Sequence, residues 1–191
     1  MTIPASNPGN PSPRVISLWT WGALLTGLAA LVGSLLLSVA LNLKACPLCF
    51  YQRTFVMGVV GVLGVGLGVR GLRPGLLSFL ALAPAIAGFG VAVYHVYLEA
   101  NRELECPMGL LGAGTAPQQS LAALSLLLLF LAGDVLRNIR ELGGTAILAP
   151  VILGVVFTVA VANKTTSPGC KPDYSQPLDG CRPPDPAARQ S

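Results

Sequence analysis

Apolar residues fall into five long runs, Ser17–Leu43, Phe55–Val69, Leu76–Leu98, Leu121–Leu136 and Thr145–Ala162, separated by short polar segments rich in glycine and proline. None of the runs alternates with a period of two. A helix of about 20 residues crosses a hydrocarbon core of roughly 30 Å, and backbone groups in lipid must be bonded within their own segment. The runs therefore predict transmembrane helices and not strands. The second and fourth are short on a strict count, and the polar-tipped turns Tyr51–Thr54 and Arg137–Ile139 carry them across. The expected spans are 17–43, 52–70, 75–99, 120–138 and 145–163, after an N-terminal tail 1–16 and before a Pro-rich tail 164–191. The first run is far longer than the roughly 7–15 apolar residues of a signal sequence, so it is expected to stay as a helix.

The connections refine this picture. Gly71-Leu72-Arg73-Pro74-Gly75 and Arg140-Glu141-Leu142-Gly143-Gly144 are tight turns that make their flanking helices antiparallel neighbours. The longer segment Asn101–Ser120 carries Pro107 and Pro117, and it can lie on the membrane surface through Met108, Leu110 and Leu111. Gly58, Gly61, Gly64, Gly66 and Gly68 on the second helix are expected to let neighbouring backbones approach.

Composition agrees with the pattern: 53% of the residues are hydrophobic and only 10% charged, too few charges to cover a water-soluble surface. The net charge of +4 is scattered between the runs, with no basic patch interleaved with aromatics, which argues against nucleic acid as a partner. Trp19 and Trp21, and Tyr94 and Tyr97, read as aromatics at the membrane interfaces. Asp134 reads as an interfacial residue paired with Arg137.

Five crossings put Cys46 and Cys49, Cys106, and the tail residues Cys170 and Cys181 on one face of the membrane. Positive charges near the helix ends are balanced between the faces and do not orient the chain. Paired cysteines in Pro-rich extramembrane segments persist as disulfides outside the cytosol, which places the N-terminus inside and every cysteine outside.

Cys46-Pro47-Leu48-Cys49 has the spacing of an exchangeable dithiol/disulfide. The partial positive charge at the start of the second helix favours a thiolate at Cys49, and Arg53, four residues on, shares its face. A zinc site needs two further ligands at similar spacing, which the sequence does not supply; its one histidine is His95, and no metal is expected. His95 and Glu99 lie four apart at the outer end of the third helix, at the depth of Arg53, where an ionisable group points to function.

Cys46-Pro47-Leu48-Cys49-Phe50-Tyr51-Gln52-Arg53 resembles the signature of the DsbB/BdbC family of disulfide bond formation proteins, and Tyr94-His95-Val96-Tyr97-Leu98-Glu99 resembles that family's third-helix ending. The resemblance covers the first four helices. It implies an all-α integral membrane protein, a four-helix transmembrane bundle of the DsbB type with an added fifth transmembrane helix. It further implies a protein-dithiol:quinone oxidoreductase of the bacterial cytoplasmic (inner) membrane. Such an enzyme takes electrons from a thioredoxin-fold, DsbA-like partner and passes them to a membrane quinone, ubiquinone or menaquinone. Cys49 would face the quinone with Arg53 beside it, Cys46 would exchange with a second cysteine pair, and His95 and Glu99 would lie near the quinone. The sequence departs from the family at Glu99, where glutamine is usual, and in carrying only Cys106 in the loop after the third helix. Either the tail supplies a partner for Cys106, or Cys170 and Cys181 pair with each other and Cys106 acts alone. The mobile Pro-rich tail favours the Cys170–Cys181 pair as the exchange disulfide. A quinone reductase of the vitamin K epoxide reductase type, a non-catalytic scaffold with structural disulfides and, third, a metal-binding membrane protein are the competing readings. The first places its motif late in the bundle, whereas here it opens the second helix.

Overall fold

A computed structural model describes residues 17–39, 46–69, 75–109, 112, 114–142, 147–165 and 180–185. It is all-helical: α1 (Leu18–Val39), α2 (Pro47–Gly68), α3 (Leu76–Ala100), α4 (Ala116–Arg137), a short α5 (Ile139–Leu142) and α6 (Leu148–Thr165). Five of these, α1 to α4 and α6, are long and apolar enough to cross a membrane. Helices α1 to α4 form a ring in which each packs on the next and α4 closes on α1, while α6 packs mainly on the outer side of α3. The fold is thus the four-helix bundle with an added fifth transmembrane helix.

Two helices begin earlier than their apolar runs suggest, and in both the reason is a cap. Cys46 is the N-cap of α2, with extended backbone, and its Sγ accepts the Cys49 N–H at 3.2 Å. Pro47 follows in the first helical turn, where its missing N–H costs nothing. Cys49 therefore sits inside the first turn of α2, not ahead of it. In α4, Gln118 Oε1 accepts the Thr115 N–H at 3.4 Å and starts the helix at Ala116.

The core runs down the axis of the ring through Ala23, Val59, Leu63, Ala81, Leu127 and Leu131, all buried. The α1–α4 seam is close because each helix sets a glycine against the other's aromatic. A Cβ on Gly22 would come within 2.8 Å of Phe130, and one on Gly133 within 2.6 Å of Trp19. The expected role of the α2 glycines is only partly met. Gly66 abuts Leu77 and Gly58 approaches Pro84, whereas Gly61, Gly64 and Gly68 have no neighbour within 4 Å and lie on the lipid-facing side. Large exposed apolar side chains such as Ile152, Val155, Val156 and Val159 of α6 suit contact with lipid.

The end of the bundle away from the cysteines corrects another expectation. Asp134, 2% exposed, accepts hydrogen bonds from Ser78 Oγ at 2.6 Å and Thr20 Oγ1 at 3.3 Å. Arg137 instead lies over the Trp19 ring, 5.2 Å from its centroid. Asp134 is buried between Ser78 of α3 and Thr20 of α1, whereas Arg137, one turn on and exposed, reaches out to the Trp19 ring, so the two find different partners despite their nearness in sequence. Of the expected interface aromatics, Trp21 and Tyr97 are exposed, while Trp19 packs edge-on against Phe130 and Tyr94 is half-buried in the cluster around Leu48 and Val91.

Candidate functional site

The site forms where the start of α2, the end of α3, the start of α4 and the segment 180–185 meet. Capping sets its first two atoms. With Cys46 at the N-cap and Cys49 three residues on, the bond that satisfies the Cys49 N–H also draws the two sulfurs to 2.7 Å, as a pair of thiols. Cys46 is pushed well above the ordinary thiol range, first because its S–H donates to Cys49 and then because it is buried.

The second pair is Cys106–Cys181, a disulfide joining the loop after α3 to the tail. This is the first of the two arrangements open to the sequence, and it replaces the favoured Cys170–Cys181 pair; Cys170 lies outside the described residues. A two-residue antiparallel bridge brings the partners together: the Glu105 N–H donates to the Arg182 carbonyl at 2.8 Å, and the Arg182 N–H donates back at 3.0 Å. The disulfide is thus set next to a backbone clamp.

His95 joins the pairs. It is fully buried, and its Nε2 lies 3.4 Å from Cys181 Sγ, 3.5 Å from Cys106 Sγ and 3.9 Å from Cys46 Sγ. The Sγ atoms of Cys46, Cys49 and Cys181 and the imidazole nitrogen all lie within 4.8 Å of one another. On the far side of the ring, Gln52 Nε2 lies 3.4 Å from Nδ1, and Gln52 Oε1 accepts from Ser120 Oγ at 2.6 Å. With the amide in this orientation Gln52 Nε2 donates to Nδ1, which leaves His95 Nε2 to face the sulfurs with its N–H.

Beside the cluster, between α1, α2 and α4, is a cavity of about 250 Å³. Its walls are mostly apolar, with Leu31, Leu37 and Ala123 among them, and Cys49, Gln52, Arg53 and Cys181 supply its polar edge. Arg53 is held by α1: its Nε donates to Ser34 Oγ at 3.0 Å, and an Nη donates to the Ser34 carbonyl at 2.9 Å and to Ser38 Oγ at 2.6 Å. Cys49 and Arg53 share the cavity wall, as their four-residue spacing suggests. His95 and Glu99 do not line it. His95 stands behind the sulfurs, and Glu99 accepts from Thr115 Oγ1 at 2.9 Å, tying the end of α3 to the start of α4.

Sequence reasoning assigned nothing to Gln52, Ser34, Ser38, Ser120 or Thr115. A signal existed for the serines of α1, since Ser34 and Ser38 are four apart in the apolar second half of the helix and so share one face.

The family model for the disulfide bond formation protein DsbB matches residues 17–139. Disulfide bond formation protein B 2 of Burkholderia lata is 33% identical over 89 residues, 45% of this chain and 52% of that protein. Disulfide bond formation protein B of Dechloromonas aromatica is 38% identical over 91 residues, 46% and 52% of the two chains. Disulfide bond formation protein B 1 of Pseudomonas fluorescens is 32% identical over 85 residues, 44% and 50%. The chain spans about half the length of the curated relatives it matches. No solved structure matches.

Proposed function

The chain belongs to the DsbB family of disulfide bond formation proteins, and on that premise we propose that it is a membrane thiol oxidase. It oxidises a thioredoxin-fold, DsbA-like dithiol outside the cytoplasm of a bacterial cell and passes the electrons to a membrane quinone. The observation that carries this reading is the apposition of two cysteine pairs around one imidazole, with Cys49 and Cys181, one from each pair, bordering an apolar cavity.

The electrons follow ordinary thiol–disulfide exchange. A partner thiolate attacks the Cys106–Cys181 disulfide, and the partner's second thiolate resolves the mixed disulfide, leaving the partner oxidised and Cys106 and Cys181 reduced. Cys181 then attacks Cys46 of an oxidised Cys46–Cys49 pair: the Cys181–Cys46 bond forms, the Cys46–Cys49 bond breaks and Cys49 leaves as thiolate. Attack of Cys106 on Cys181 restores Cys106–Cys181 and releases Cys46. Two electrons have now moved to Cys46 and Cys49. His95 Nε2, near Cys46, Cys106 and Cys181, is placed to give and take the protons these steps require.

The cavity fits a quinone ring: apolar walls suit its body, and the Arg53 and Gln52 N–H groups suit its carbonyl oxygens. A quinone supplies a two-electron, two-proton acceptor. Cys49 presents its sulfur to that space, Arg53 offers a fixed positive charge there, and the pairing of Cys49 with Cys46 re-forms the disulfide. The cysteine end faces outward and the Asp134 end inward, because exposed exchangeable disulfides persist on the oxidising side. Replacing Cys49 by Ala is expected to abolish quinone reduction by a reduced DsbA-like protein. Undiminished turnover would sink the mechanism.

A further inference from the structure

We propose that the fully reduced site is a redox-gated binding site for a zinc-class cation, with Cys46 Sγ, Cys49 Sγ, Cys181 Sγ and His95 Nε2 as its four ligands. Sequence spacing denied Cys46-x-x-Cys49 the two further ligands that a tetrahedral zinc site needs, and the fold supplies them from α3 and from the tail. Three thiolates and one imidazole are a donor set that zinc favours.

The distances are close to what such a site requires. Zinc–sulfur bonds of about 2.3 Å and zinc–nitrogen bonds of about 2.0 Å at tetrahedral angles put ligand nitrogen and sulfur roughly 3.5 Å apart. His95 Nε2 is 3.4 Å from Cys181 Sγ and 3.9 Å from Cys46 Sγ. The Cys46–Cys49 contact, 2.7 Å, is too short and must open to roughly 3.8 Å when both sulfurs bind the ion, and all four ligand atoms already lie within 4.8 Å of one another. The Cys49 side chain borders the cavity, which gives it space to turn away from Cys46.

Oxidation state gates the site. While Cys106–Cys181 is intact, the Cys181 sulfur is a poor ligand, and once Cys46 and Cys49 are also joined His95 is left alone. A dithiol reductant converts each disulfide to two thiols, giving up two electrons and two protons. The ion then binds as the Cys46, Cys49 and Cys181 thiols release three protons to solvent. His95 must present Nε2 without its proton, so Nδ1 carries one. A half-turn of the Gln52 amide offers Oε1 to that N–H, and the Ser120 hydroxyl rotates to accept from the amide nitrogen. Gln52 thus becomes the outer support of a metal-bound histidine.

Binding stands on this geometry alone. The consequence, that the ion holds Cys46 and Cys49 reduced and off the exchange route when no electron acceptor is present, rests on the function proposed above.

The test uses the full chain in detergent with Cys170→Ser as background, so that Cys46, Cys49, Cys106 and Cys181 are the only thiols present. The protein is reduced with a phosphine, desalted without oxygen and titrated with Co²⁺. Expected are one equivalent bound, thiolate-to-cobalt charge-transfer absorption, the visible bands of a tetrahedral ion, and loss of both on adding Zn²⁺. The oxidised chain should bind none. Cys106→Ser should keep the site, because Cys106 is not a ligand, whereas His95→Ala and Cys181→Ser should each weaken it by at least about 10-fold. No spectral change in the reduced chain, equal uptake by the oxidised chain, or uptake insensitive to Cys181→Ser would overturn the proposal. A chain that takes cobalt but reduces no quinone contradicts the thiol-oxidase reading and leaves this one standing. A chain that turns over and takes no cobalt does the reverse.

Discussion

Gln52→Leu isolates the part of the site that orients the imidazole without removing a sulfur. Gln52 is 5% exposed and is the side chain that meets His95 Nδ1 among the described residues. Leucine is close to it in volume, so a cavity contributes little. The Ser120 hydroxyl can turn to the carbonyl one turn back, as Ser125 does to Leu121 at 2.7 Å, which limits that loss to about 1 kcal/mol. The His95 ring has no such alternative. A buried ring nitrogen left without a partner costs about 1–3 kcal/mol, and the Nε2–H direction toward the sulfurs is no longer fixed. If that cost falls on the exchange step, its rate drops by about 5- to 150-fold. Rapid mixing of the oxidised chain with a reduced partner, acid quenching and alkylation of free thiols give the time at which electrons reach Cys46 and Cys49. A Gln52→Leu rate within twofold of the parent, with His95→Ala strongly slowed, would show that His95 is held by something other than Gln52.

Three further outcomes follow from the same contacts. Arg53→Ala removes a guanidinium that α1 holds at the cavity wall, so the apparent Michaelis constant for quinone should rise by at least about 10-fold, the worth of one charge-assisted contact of about 1.5 kcal/mol. An unchanged constant would mean that Arg53 only ties α2 to α1. In Cys106→Ser, segment 180–185 keeps the Glu105–Arg182 backbone bridge but loses a cross-link spanning 75 residues, a closure worth about 4 kcal/mol. Amide hydrogen exchange at Glu105 and Arg182 should accelerate by at least about 10-fold, and unchanged protection would contradict the clamp as drawn. Asp134→Ala strands the Ser78 and Thr20 hydroxyls in a buried site and should cost about 2–4 kcal/mol, while Asp134→Asn keeps an acceptor for Ser78 and should cost under about 1 kcal/mol. Thermal unfolding in detergent compares the two, and equal melting temperatures would remove Asp134 from the account of bundle stability.

The helices were legible because lipid imposes one rule on every run: satisfy the backbone locally and show apolar side chains. Their starts were less legible because caps decide them. Cys46 and Gln118 begin α2 and α4 in polar surroundings where hydropathy has already faded. The Cys46–Cys49 pair, its Arg53 neighbour and the place of His95 at the same end of the bundle could be read from spacing and helix count. The pairing of Cys106 with Cys181 could not, since nothing local links residues 75 apart, and the two-bond bridge at Glu105 that aligns them has no sequence signature. Nor could the Gln52–His95 contact, or the turn of Asp134 toward Ser78 and away from Arg137. Both depend on how helices rotate against each other in the packed ring.

The central claim is that both cysteine pairs feed one route to a quinone. Mixing the fully reduced chain with excess quinone under anaerobic conditions, then counting quinol formed and thiols left, tests it most directly. The account predicts two quinols per chain, with Cys46, Cys49, Cys106 and Cys181 all lost as thiols while Cys170 stays free. Quinol formation that leaves Cys106 and Cys181 reduced, or no quinol at all, would contradict it.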